Sequence, residues 1–497
     1  MQNRFVKNLA LLLFLNLLVK PFWILGIDRT VQNEVGEVMF GLYFSLFNFS
    51  YLFYILLDLG ITNFNNRNIA QNNQLLSKHF PGIATMKLML GVLYAAVVFG
   101  VGLTYGYRGE ELVLLSWVVL NHVLLSFILY IRSNFSGLLL FRTDSFLSVL
   151  DKLLMILICG FLLWSGFIHQ PFQLFWFVYA QSAAYAITFI VAFILLLPRL
   201  GTIRFSFNWP FSVMIIRRSL PFALLVLLMS FYSRIEPVLL TWLLPGETGL
   251  HQSGIYAQSF RLLDAGNNIA LLFSVLLLPL FASLIKMKEP VDGLVKVCFT
   301  LMLLMSVLVS AVSWFFNREI IELLYGIRDG EIIADYQTRV DEASVVFSLL
   351  MSSFIAISST YVFGTLLTAN GSLKNLNFIA ASGVVLNLSL NLLLIPEWTA
   401  AGAAVASLSA QFYTAVMQFI LARKTFGLNF RARFWLSFLA YIIVLISFMS
   451  VFSAFNLHWI LNILLSSTVG ILSAIFLKII PYQSIVALFR KAAETRD

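Results

Sequence analysis

Charge is what this sequence has least of: only 11% of its 497 residues are charged, whereas 60% are hydrophobic and 48 are phenylalanine. A water-soluble domain could not cover so much apolar side chain with polar surface. Apolar runs of about 18 residues or more recur from end to end, and no segment of soluble-domain size separates them. The composition therefore excludes a soluble globular protein and predicts an integral membrane protein that forms one membrane unit.

Cysteine and histidine are also scarce, with two and five residues. Cys159 and Cys298 both fall inside apolar runs, so we interpret them as small hydrophobic residues and as neither a disulfide nor a metal pair. The sequence has no phosphate-binding loop, no His-Glu-x-x-His motif and no cluster of metal-ligating residues. We therefore expect no cofactor and no metal, and no residue pattern supports an enzyme.

Apolar segments of membrane-spanning length make up most of the chain, and about fourteen can be counted. Their approximate cores are residues 8–27, 36–60, 83–105, 112–140, 146–168, 173–197, 213–244, 254–284, 292–316, 343–368, 375–395, 400–422, 434–454 and 457–480. The first is interpreted as a retained helix, because Lys20-Pro21 follows its start and no cleavage site is visible. The sequence predicts an all-α polytopic membrane protein.

Basic residues are distributed unevenly between the predicted loops. Most of the 32 lysines and arginines fall on one side, and the other side has Arg29, Arg108, Arg318, Arg328 and Arg339. By the positive-inside rule both termini are cytoplasmic. We interpret the net charge of +9 as a face that lies against anionic lipid headgroups, and expect no binding of nucleic acid.

One sizeable outer loop is predicted, from Asn317 to Glu342. It is rich in acidic residues. We interpret it as a solvated loop, with a gate or a cation-attracting rim as the alternative.

Short motifs recur along the chain at two similar distances, 213 and 227 residues. Gly41-Leu-Tyr43 has a counterpart in Gly254-Ile-Tyr256, 213 residues further on, and Gly137-Leu-Leu-Leu140 corresponds to Gly364-Thr-Leu-Leu367. Chance similarity between apolar helices is the alternative explanation. A real repeat predicts two parallel six-helix halves related by an axis along the membrane normal. We place these halves at residues 1–200 and 201–424, followed by two additional helices and a cytoplasmic tail at 425–497.

Two basic residues lie deep inside predicted spans, Lys20 in the first and Arg234 in the seventh. An arginine at the bilayer centre costs roughly 2.5–3.5 kcal/mol even on lenient scales, so such residues mark substrate or ion pathways. At the 213-residue offset Lys20 falls one residue from Arg234, and we expect the two to face each other across a cleft between the halves. Both are predicted to bind an anionic substrate. For Lys20 the alternative is a buried pair with a carboxylate.

Three further charged residues have less certain roles. Glu236 lies two positions after Arg234, on the opposite side of a continuous helix, so it is either an ion- or proton-coupling carboxylate or a structural counter-charge. Arg132 and Lys152 lie close enough to the cytoplasmic ends of their spans to snorkel. Structural roles are therefore preferred for these two, although they could also meet an anionic headgroup entering from inside.

The eighth span carries a polar stripe, in which Gln258, Arg261, Asp264 and Asn268 are spaced to share one helix face. A polar stripe inside a membrane must face protein or water. Gln258, Arg261 and Asn268 are thus candidate substrate-binding residues, and Asp264 is a second candidate for ion or proton coupling. A local ion pair between Arg261 and Asp264 explains the stripe equally well.

Three stretches together resemble a known family. The first is Val35-Gly-Glu-Val-Met-Phe-Gly-Leu-Tyr43 with Leu57-Asp-Leu-Gly60 and Arg67. The second comprises Arg218-Ser-Leu-Pro-Phe222, Arg234-Ile-Glu236, Ser253-Gly-Ile-Tyr256 and Leu278-Pro279, and the third Asn370-Gly-Ser372, Asn387, Asn391, Ile395-Pro396 and Ala401-Gly-Ala-Ala404. In order and spacing they resemble the polysaccharide-exporting flippases of the multidrug/oligosaccharidyl-lipid/polysaccharide (MOP) superfamily. One departure is Glu236, which stands where aspartate is more frequent.

The resemblance implies two six-helix bundles around a V-shaped central cavity, with C-terminal helices similar to those that shape a lipid-tail groove in lipid II flippases. It implies alternating-access transfer of a polyprenyl-(pyro)phosphate-linked oligosaccharide from the cytoplasmic to the periplasmic leaflet of the bacterial inner membrane. The implied partners are membrane lipids and polysaccharide-assembly enzymes. Basic cavity residues would offset the cost of moving phosphates through the membrane.

Other functions remain open at this level. A drug/cation antiporter of the same superfamily would favour a cavity dominated by carboxylates, whereas deep basic residues here at least equal the acidic ones. A membrane polymerase or ligase of lipid-linked glycans would place its catalytic residues in a large outer loop, for which Asn317–Glu342 is the one candidate. A non-transporting scaffold would leave the buried charges unexplained.

Overall fold

The computed structural model describes residues 14–16, 18–166, 170–200, 209–328, 330–454, 458–477 and 479, and every regular element in these ranges is a helix. A helix satisfies its backbone hydrogen bonds within one segment, as an apolar solvent requires of any span. The predicted all-α class is confirmed. The start of the first predicted span at residue 8 and the predicted tail beyond residue 480 lie outside these ranges, and the side chains of Arg67, Arg218 and Pro279 are likewise outside the described part.

The chain forms two compact units, Met1–Gln258 and Ser259–Asp497. The helices of the first unit are α1 Arg29–Leu52, α2 Ile61–Gln71, α3 Leu75–Tyr105, α4 Gly109–Gly137, α5 Phe141–Trp164, α6 Leu174–Leu196, α7 Trp209–Arg234 and α8 Glu236–Leu243. A π-helical turn, Trp23–Asp28, leads into α1, and 3-10 turns occupy Tyr54–Leu57 and Leu197–Arg199. Because α4 packs against α1, α2, α3, α5 and α6, it is the central helix of this unit.

Helix α9, Gly246–Lys286, begins in the first unit and ends in the second. The second unit continues with α10 Asp292–Phe315, α11 Asn317–Leu324, α12 Ile333–Ala369, α13 Leu373–Phe426, α14 Ala432–Ala454 and α15 Trp459–Phe476. Here α12 packs against α10 and α13, and α14 pairs with α15. The three-part division predicted at residues 200 and 424 stays a prediction.

Within the described ranges, 9 helices are long and apolar enough to cross a membrane, or up to 10 if the bent pair α7–α8 is one span. The multi-pass architecture is therefore confirmed. The predicted total of about fourteen is not, because the first, second and eighth predicted spans have no counterpart among these helices. The second span, for example, shares helix α1 with Arg29, Glu34 and Glu37.

Helix α13 contains both the eleventh and the twelfth predicted spans. It breaks at Thr399, which has φ 49° and ψ −128°, just after Pro396. Proline removes a backbone donor from the helix and favours such a break. Beyond it Gly402 passes so close to Leu394 that an added Cβ would lie 2.3 Å from the Leu394 carbonyl oxygen. The two predicted spans are the two arms of this helix.

The predicted acidic loop from Asn317 to Glu342 is mostly helical, since α11 and the start of α12 fill it. It is organised by Arg339, whose side chain is 3% exposed. Its guanidinium donates to both carboxylate oxygens of Glu331, at 2.9 and 2.8 Å, and to the Gly326 carbonyl at 3.1 Å. Burial acts to raise the pKa of Glu331, but the hydrogen bonds from Arg339 and Arg328 hold this pKa below its usual value. Arg339 and Glu331 are thus withdrawn from solvent, whereas Asp335 and Asp341 of the same segment are exposed, as the interpretation as a solvated acidic segment expects.

The repeated glycines pack against each other where α1 meets the start of α9. An added Cβ on Gly41 would lie 1.9 Å from the Leu250 carbonyl oxygen, and one on Gly254 would lie 2.2 Å from the Glu37 carbonyl oxygen. Leu250 follows Glu37 by the same 213 residues that separate the two glycines. Such an exchange of contacts is what a local two-fold relation between the segments produces. It supports the predicted parallel repeat.

A buried ion pair shapes the chain where α1 ends. After Leu52 the backbone turns through Tyr54–Leu57, and Gly60 takes φ 79°. Lys87, fully buried in α3, donates to the Leu57 carbonyl at 2.9 Å and to the Asp58 carboxylate at 3.1 Å. These bonds satisfy a backbone group that the turn leaves unpaired. They hold the 3-10 turn, and with it Tyr54, in place.

Candidate substrate site

The candidate site begins at a break between two helices. Helix α7 ends at Arg234 and α8 begins at Glu236, and the two axes differ by 51°. Pro237 at the start of α8 causes the break, because it lacks an N–H and its ring clashes with the carbonyl four residues earlier in a continuous helix. The expected continuous helix is therefore wrong here: Arg234 and Glu236 lie on either side of a bend. Arg234 is half-buried, and Glu236 is fully buried.

Aromatic rings surround the guanidinium of Arg234. Its central carbon lies 4.7 Å from the centroid of the Tyr51 ring, a cation–π distance. Tyr51 in turn stacks on Tyr54, with ring centroids 5.2 Å apart and planes 6° from parallel. His122 meets both tyrosine rings edge-on, at 5.8 and 5.6 Å. The charge is thus presented on a preformed aromatic surface.

His122 is held by hydroxyl groups from two other helices. Its Nδ1 atom lies 3.0 Å from Ser50 Oγ and 2.9 Å from the Tyr94 hydroxyl, and the residue is only 1% exposed. A histidine ring fixed through Nδ1 has a set orientation. Tyr51 and Tyr54 therefore pack against a ring that does not turn freely.

A second group of charges surrounds Lys20. Asp151, Lys152 and Arg132 lie within electrostatic range of its ammonium. Arg132 donates to Asp144 at 2.8 Å, and Lys152 pairs with Asp151 at 3.3 Å. Lys20 itself makes no salt bridge to another residue of the described chain. Since both neighbouring carboxylates already have a cationic partner, this group carries net positive charge.

Lys152 connects the two groups. Besides Asp151, its ammonium donates to the Tyr185 hydroxyl at 3.3 Å and lies 5.4 Å from the Trp23 ring centroid. Tyr54 lies near both Tyr185 and Tyr51. The side chains of Lys152, Tyr185, Tyr54, Tyr51 and Arg234 are therefore successive neighbours within the first unit. We define the cationic site by eight of these residues: Lys20, Arg132, Lys152, Arg234, Tyr51, Tyr54, Tyr185 and His122.

The polar stripe of α9 lies in different surroundings at its two ends. Gln258 is buried and donates to Glu37 of α1 at 2.8 Å. Asn268 donates to the Asp264 carbonyl of its own helix at 2.7 Å. Arg261, Asp264 and Asn268 are half-buried. The stripe thus supplies helix packing at Gln258, and its proposed substrate contacts stay predictions.

The tyrosine and histidine residues of the cationic site were missed from sequence, whereas Arg132 and Lys152 were given structural roles. Arg132 and Lys152 form partly buried ion pairs with Asp144 and Asp151, and their predicted contact with the membrane surface stays a prediction. Because these residues and Lys20 lie on separate helices, their proximity could not be predicted from the sequence. Tyr51, Tyr54 and His122 carried no signal in a chain with 17 tyrosines, because only the fold brings them around Arg234. A search of the described residues finds no group of three metal-ligating side chains.

Interrupted helices with charged groups inside a multi-pass bundle define the fold of a membrane transporter. A family model described as polysaccharide biosynthesis protein matches residues 5–285, more than half of the chain. The chain belongs to this polysaccharide biosynthesis protein family. A second model, lipid II flippase MurJ, matches residues 255–473. The resemblance found in the sequence motifs is thereby confirmed.

Solved structures show the same fold. Lipid II flippase MurJ, in an inward closed conformation, aligns with a TM-score of 0.68 and 11% identity over 96% of this chain and 99% of its own. An inward-facing multidrug resistance MATE family transporter of the MOP superfamily aligns at 0.60 and 15% identity, over 84% and 98%. A MOP superfamily transporter from Pyrococcus furiosus, described as having a binding pocket of reverse polarity, aligns at 0.54 and 13%, over 84% and 93%. No curated protein matches the chain.

Proposed function

We propose that this protein is a flippase that moves a polyprenyl-(pyro)phosphate-linked oligosaccharide from the cytoplasmic to the periplasmic leaflet of a bacterial inner membrane. The observation that carries the proposal is the net positive charge around Lys20, where three cations meet the two carboxylates of Asp144 and Asp151. A phosphate group loses its hydration in the membrane interior, and nearby cations offset that cost. The family to which the chain belongs supports the assignment to polysaccharide assembly.

The arrangement of the site suits an amphiphilic anion. Lys20 provides charge that Asp144 and Asp151 do not neutralise, and Tyr51 offers an apolar face beside the guanidinium of Arg234. In this proposal the phosphates bind these cations, while the apolar tail stays in the lipid. Alternating access follows from rocking of the two predicted halves. Glu236 or Asp264 couples the cycle to protons, sodium or the membrane potential.

Translocation by the purified full-length protein in proteoliposomes tests the proposal. The probe is a fluorescent polyprenyl-pyrophosphate-linked oligosaccharide, measured by its exposure to an impermeant quencher. We expect Arg234→Gln to slow translocation about tenfold, which corresponds to ~1.4 kcal/mol, and Arg234→Lys to retain part of the rate. Arg318→Gln, at an exposed surface ion pair, is the matched control and should transport normally.

Full activity of both Arg234→Gln and Lys20→Ala would contradict the cationic mechanism. Efflux of an organic cation without glycolipid movement would instead identify a drug/cation antiporter, the alternative that a buried Glu236 and the MATE-like fold favour. Transport that continues after every ion gradient and the potential are collapsed would exclude the proposed coupling.

A further inference from the structure

A cavity of about 390 Å³ lies in the first unit, apart from the cationic site. Its lining includes the aromatic residues Tyr105, Tyr107 and Trp242 and the carboxylates Glu111 and Glu247. None of these residues belongs to the cationic site. Its size falls within the range of roughly 300–1,000 Å³ that is usual for small-molecule sites. In the predicted orientation these residues lie at the outer ends of their helices.

The aromatic wall is fixed by its own packing. Tyr105 stacks on Trp242 with centroids 3.9 Å apart, and the indole N–H of Trp242 donates to the Tyr107 hydroxyl at 3.3 Å. Phe49 packs against Tyr107 and Trp242 from behind, at 5.4 and 6.1 Å. Rings held in this way bind a ligand without losing conformational freedom. The wall is therefore a preformed binding surface.

Hydrogen-bonding groups complete the cavity. Ser45 and Thr241 line it and bond each other at 2.8 Å. One carboxylate oxygen of Glu111 accepts the backbone N–H of Arg108 at 3.0 Å, and Glu247 lies exposed in the first turn of α9. Carboxylates accept several hydrogen bonds, and hydroxyls both donate and accept. The lining therefore fits a ligand that carries many hydroxyl groups on a small apolar frame.

We propose that this cavity binds a sugar residue of the glycan, and we name it the aromatic pocket. The C–H face of a pyranose ring lies on the open face of the Tyr105 ring, which Trp242 supports from the other side, while its hydroxyls donate to Glu111 and Glu247. Two carboxylates repel phosphate, so the pocket takes the glycan and leaves the phosphates to the cationic site. This reading rests on the proposed function, which it deepens by assigning a separate place to each part of the substrate.

An organic cation is the competing occupant, because aromatic rings and carboxylates also bind ammonium groups. Two features favour the sugar. Glu111 already has a backbone partner, and the guanidinium of Arg108 lies close by, where it donates to the Leu103 and Tyr107 carbonyls at 3.2 and 2.8 Å. The positive charge of Arg108 weakens the negative field of the pocket, which makes an organic cation bind less well. The carboxylate oxygens of Glu111 and Glu247 remain as hydrogen-bond acceptors for a sugar.

Saturation-transfer NMR on the full-length protein in detergent tests the inference. The probes are lactose and diacetylchitobiose as neutral sugars, inorganic pyrophosphate, and tetraphenylphosphonium as an organic cation. We expect both sugars to bind, and Tyr105→Leu to raise their Kd about tenfold, the effect of losing one central aromatic contact. Glu247→Gln should weaken them about threefold. Neither change should alter pyrophosphate binding.

Matched controls come from elsewhere in the chain. Tyr179 is also an exposed tyrosine against a tryptophan, 5.0 Å from Trp117, so Tyr179→Leu should leave sugar binding unchanged. Failure of both sugars to bind, binding unaffected by Tyr105→Leu and Glu247→Gln, or binding of the organic cation alone would overturn the inference. Sugar binding by a wild-type protein that moves no lipid-linked oligosaccharide would keep the pocket and refute the flippase. Normal translocation by a protein that binds neither sugar would refute the pocket and keep the flippase.

Discussion

At Lys20 the chain places a third cation beside two that are already paired. Asp151 and Asp144 already pair with Lys152 and Arg132, so Lys20 lies beside two cations whose carboxylate partners are taken. Charge repulsion of this kind grows as the local dielectric constant falls. In the proposed function a ligand brings the negative charge that these two carboxylates do not supply to Lys20.

Replacement of Lys20 by methionine should therefore make the protein more stable and less active. Methionine keeps the length of the side chain and removes the repelling charge; exchanges of buried ions for apolar side chains often stabilise by about 1–4 kcal/mol. We expect Lys20→Met to raise the melting temperature in detergent by a few degrees, and to slow translocation about tenfold. Thermal unfolding and the proteoliposome assay measure the two effects on the same preparation.

Lys152→Met is the matched comparison for that experiment. It removes a cation whose carboxylate partner, Asp151, is 13% exposed and would stay behind. Breaking a buried pair in this way destabilises by about 3–5 kcal/mol, so the melting temperature should fall. If Lys20→Met also lowers the melting temperature, Lys20 is a structural member of the ion-pair group and its proposed role is wrong.

At the scale of the elements, helix interruptions follow both deep cations. The π-helical turn Trp23–Asp28 comes just after Lys20, and the break at Ile235 comes just after Arg234. The 213-residue offset carries Trp23 onto Glu236, the first residue of α8. The two irregular segments thus occupy equivalent positions of the repeat. Discontinuous helices at corresponding positions of two halves are typical of transporter binding sites.

The sequence predicted polar surroundings for these two helices near Lys20 and Arg234, but it did not predict the form of their interruptions. Pro21 and Pro237 stand close after the two deep cations in the sequence, and a proline removes a backbone donor from a helix. Proline is compatible with a kink, a full break or a π-helical turn, and tertiary packing decides among them. For the same reason Arg234 could be found in the sequence, whereas the rings of Tyr51 and His122 around it could not.

The crossing of α1 and α9 depends on the absence of side chains at Gly41 and Gly254. We expect Gly254→Ala to abolish stable expression of the folded protein, because its Cβ would collide with the Glu37 backbone and not with a movable side chain. Gly100→Ala in α3 is the control, since nothing lies within 4 Å of its Cβ. It should be neutral, or stabilising by up to ~1 kcal/mol. Detergent-extracted yield and melting temperature measure both effects. A Gly254→Ala protein that melts at the wild-type temperature would contradict the prediction, because it would show that α1 and α9 can move apart at Gly254.

At the scale of the whole molecule, composition alone predicts the membrane class. The chain has too few polar residues to cover its apolar side chains in water, so the apolar surface must face lipid. The number of spans is harder to predict, since a hydropathy pattern cannot tell two helices from two arms of one. Helix α13 and the pair α7–α8 show both cases. Orientation depends on where basic residues fall relative to the helix ends. It is therefore predictable from sequence and open to direct measurement.

Helix α9 offers a sharp test of orientation, because the eighth predicted span, residues 254–284, lies within its 41 residues. Thr248 at its start and Lys288 just beyond its end are both exposed, and the predicted orientation places them on opposite sides of the membrane. In a background with Cys159→Ala and Cys298→Ala, we expect an impermeant maleimide added to intact spheroplasts to label Thr248→Cys and to leave Lys288→Cys unlabelled until the cells are opened. Because export requires the substrate to enter from the cytoplasm and its glycan to reach the aromatic pocket on the outer side, the opposite labelling pattern would reverse the orientation and contradict the proposed direction of transport.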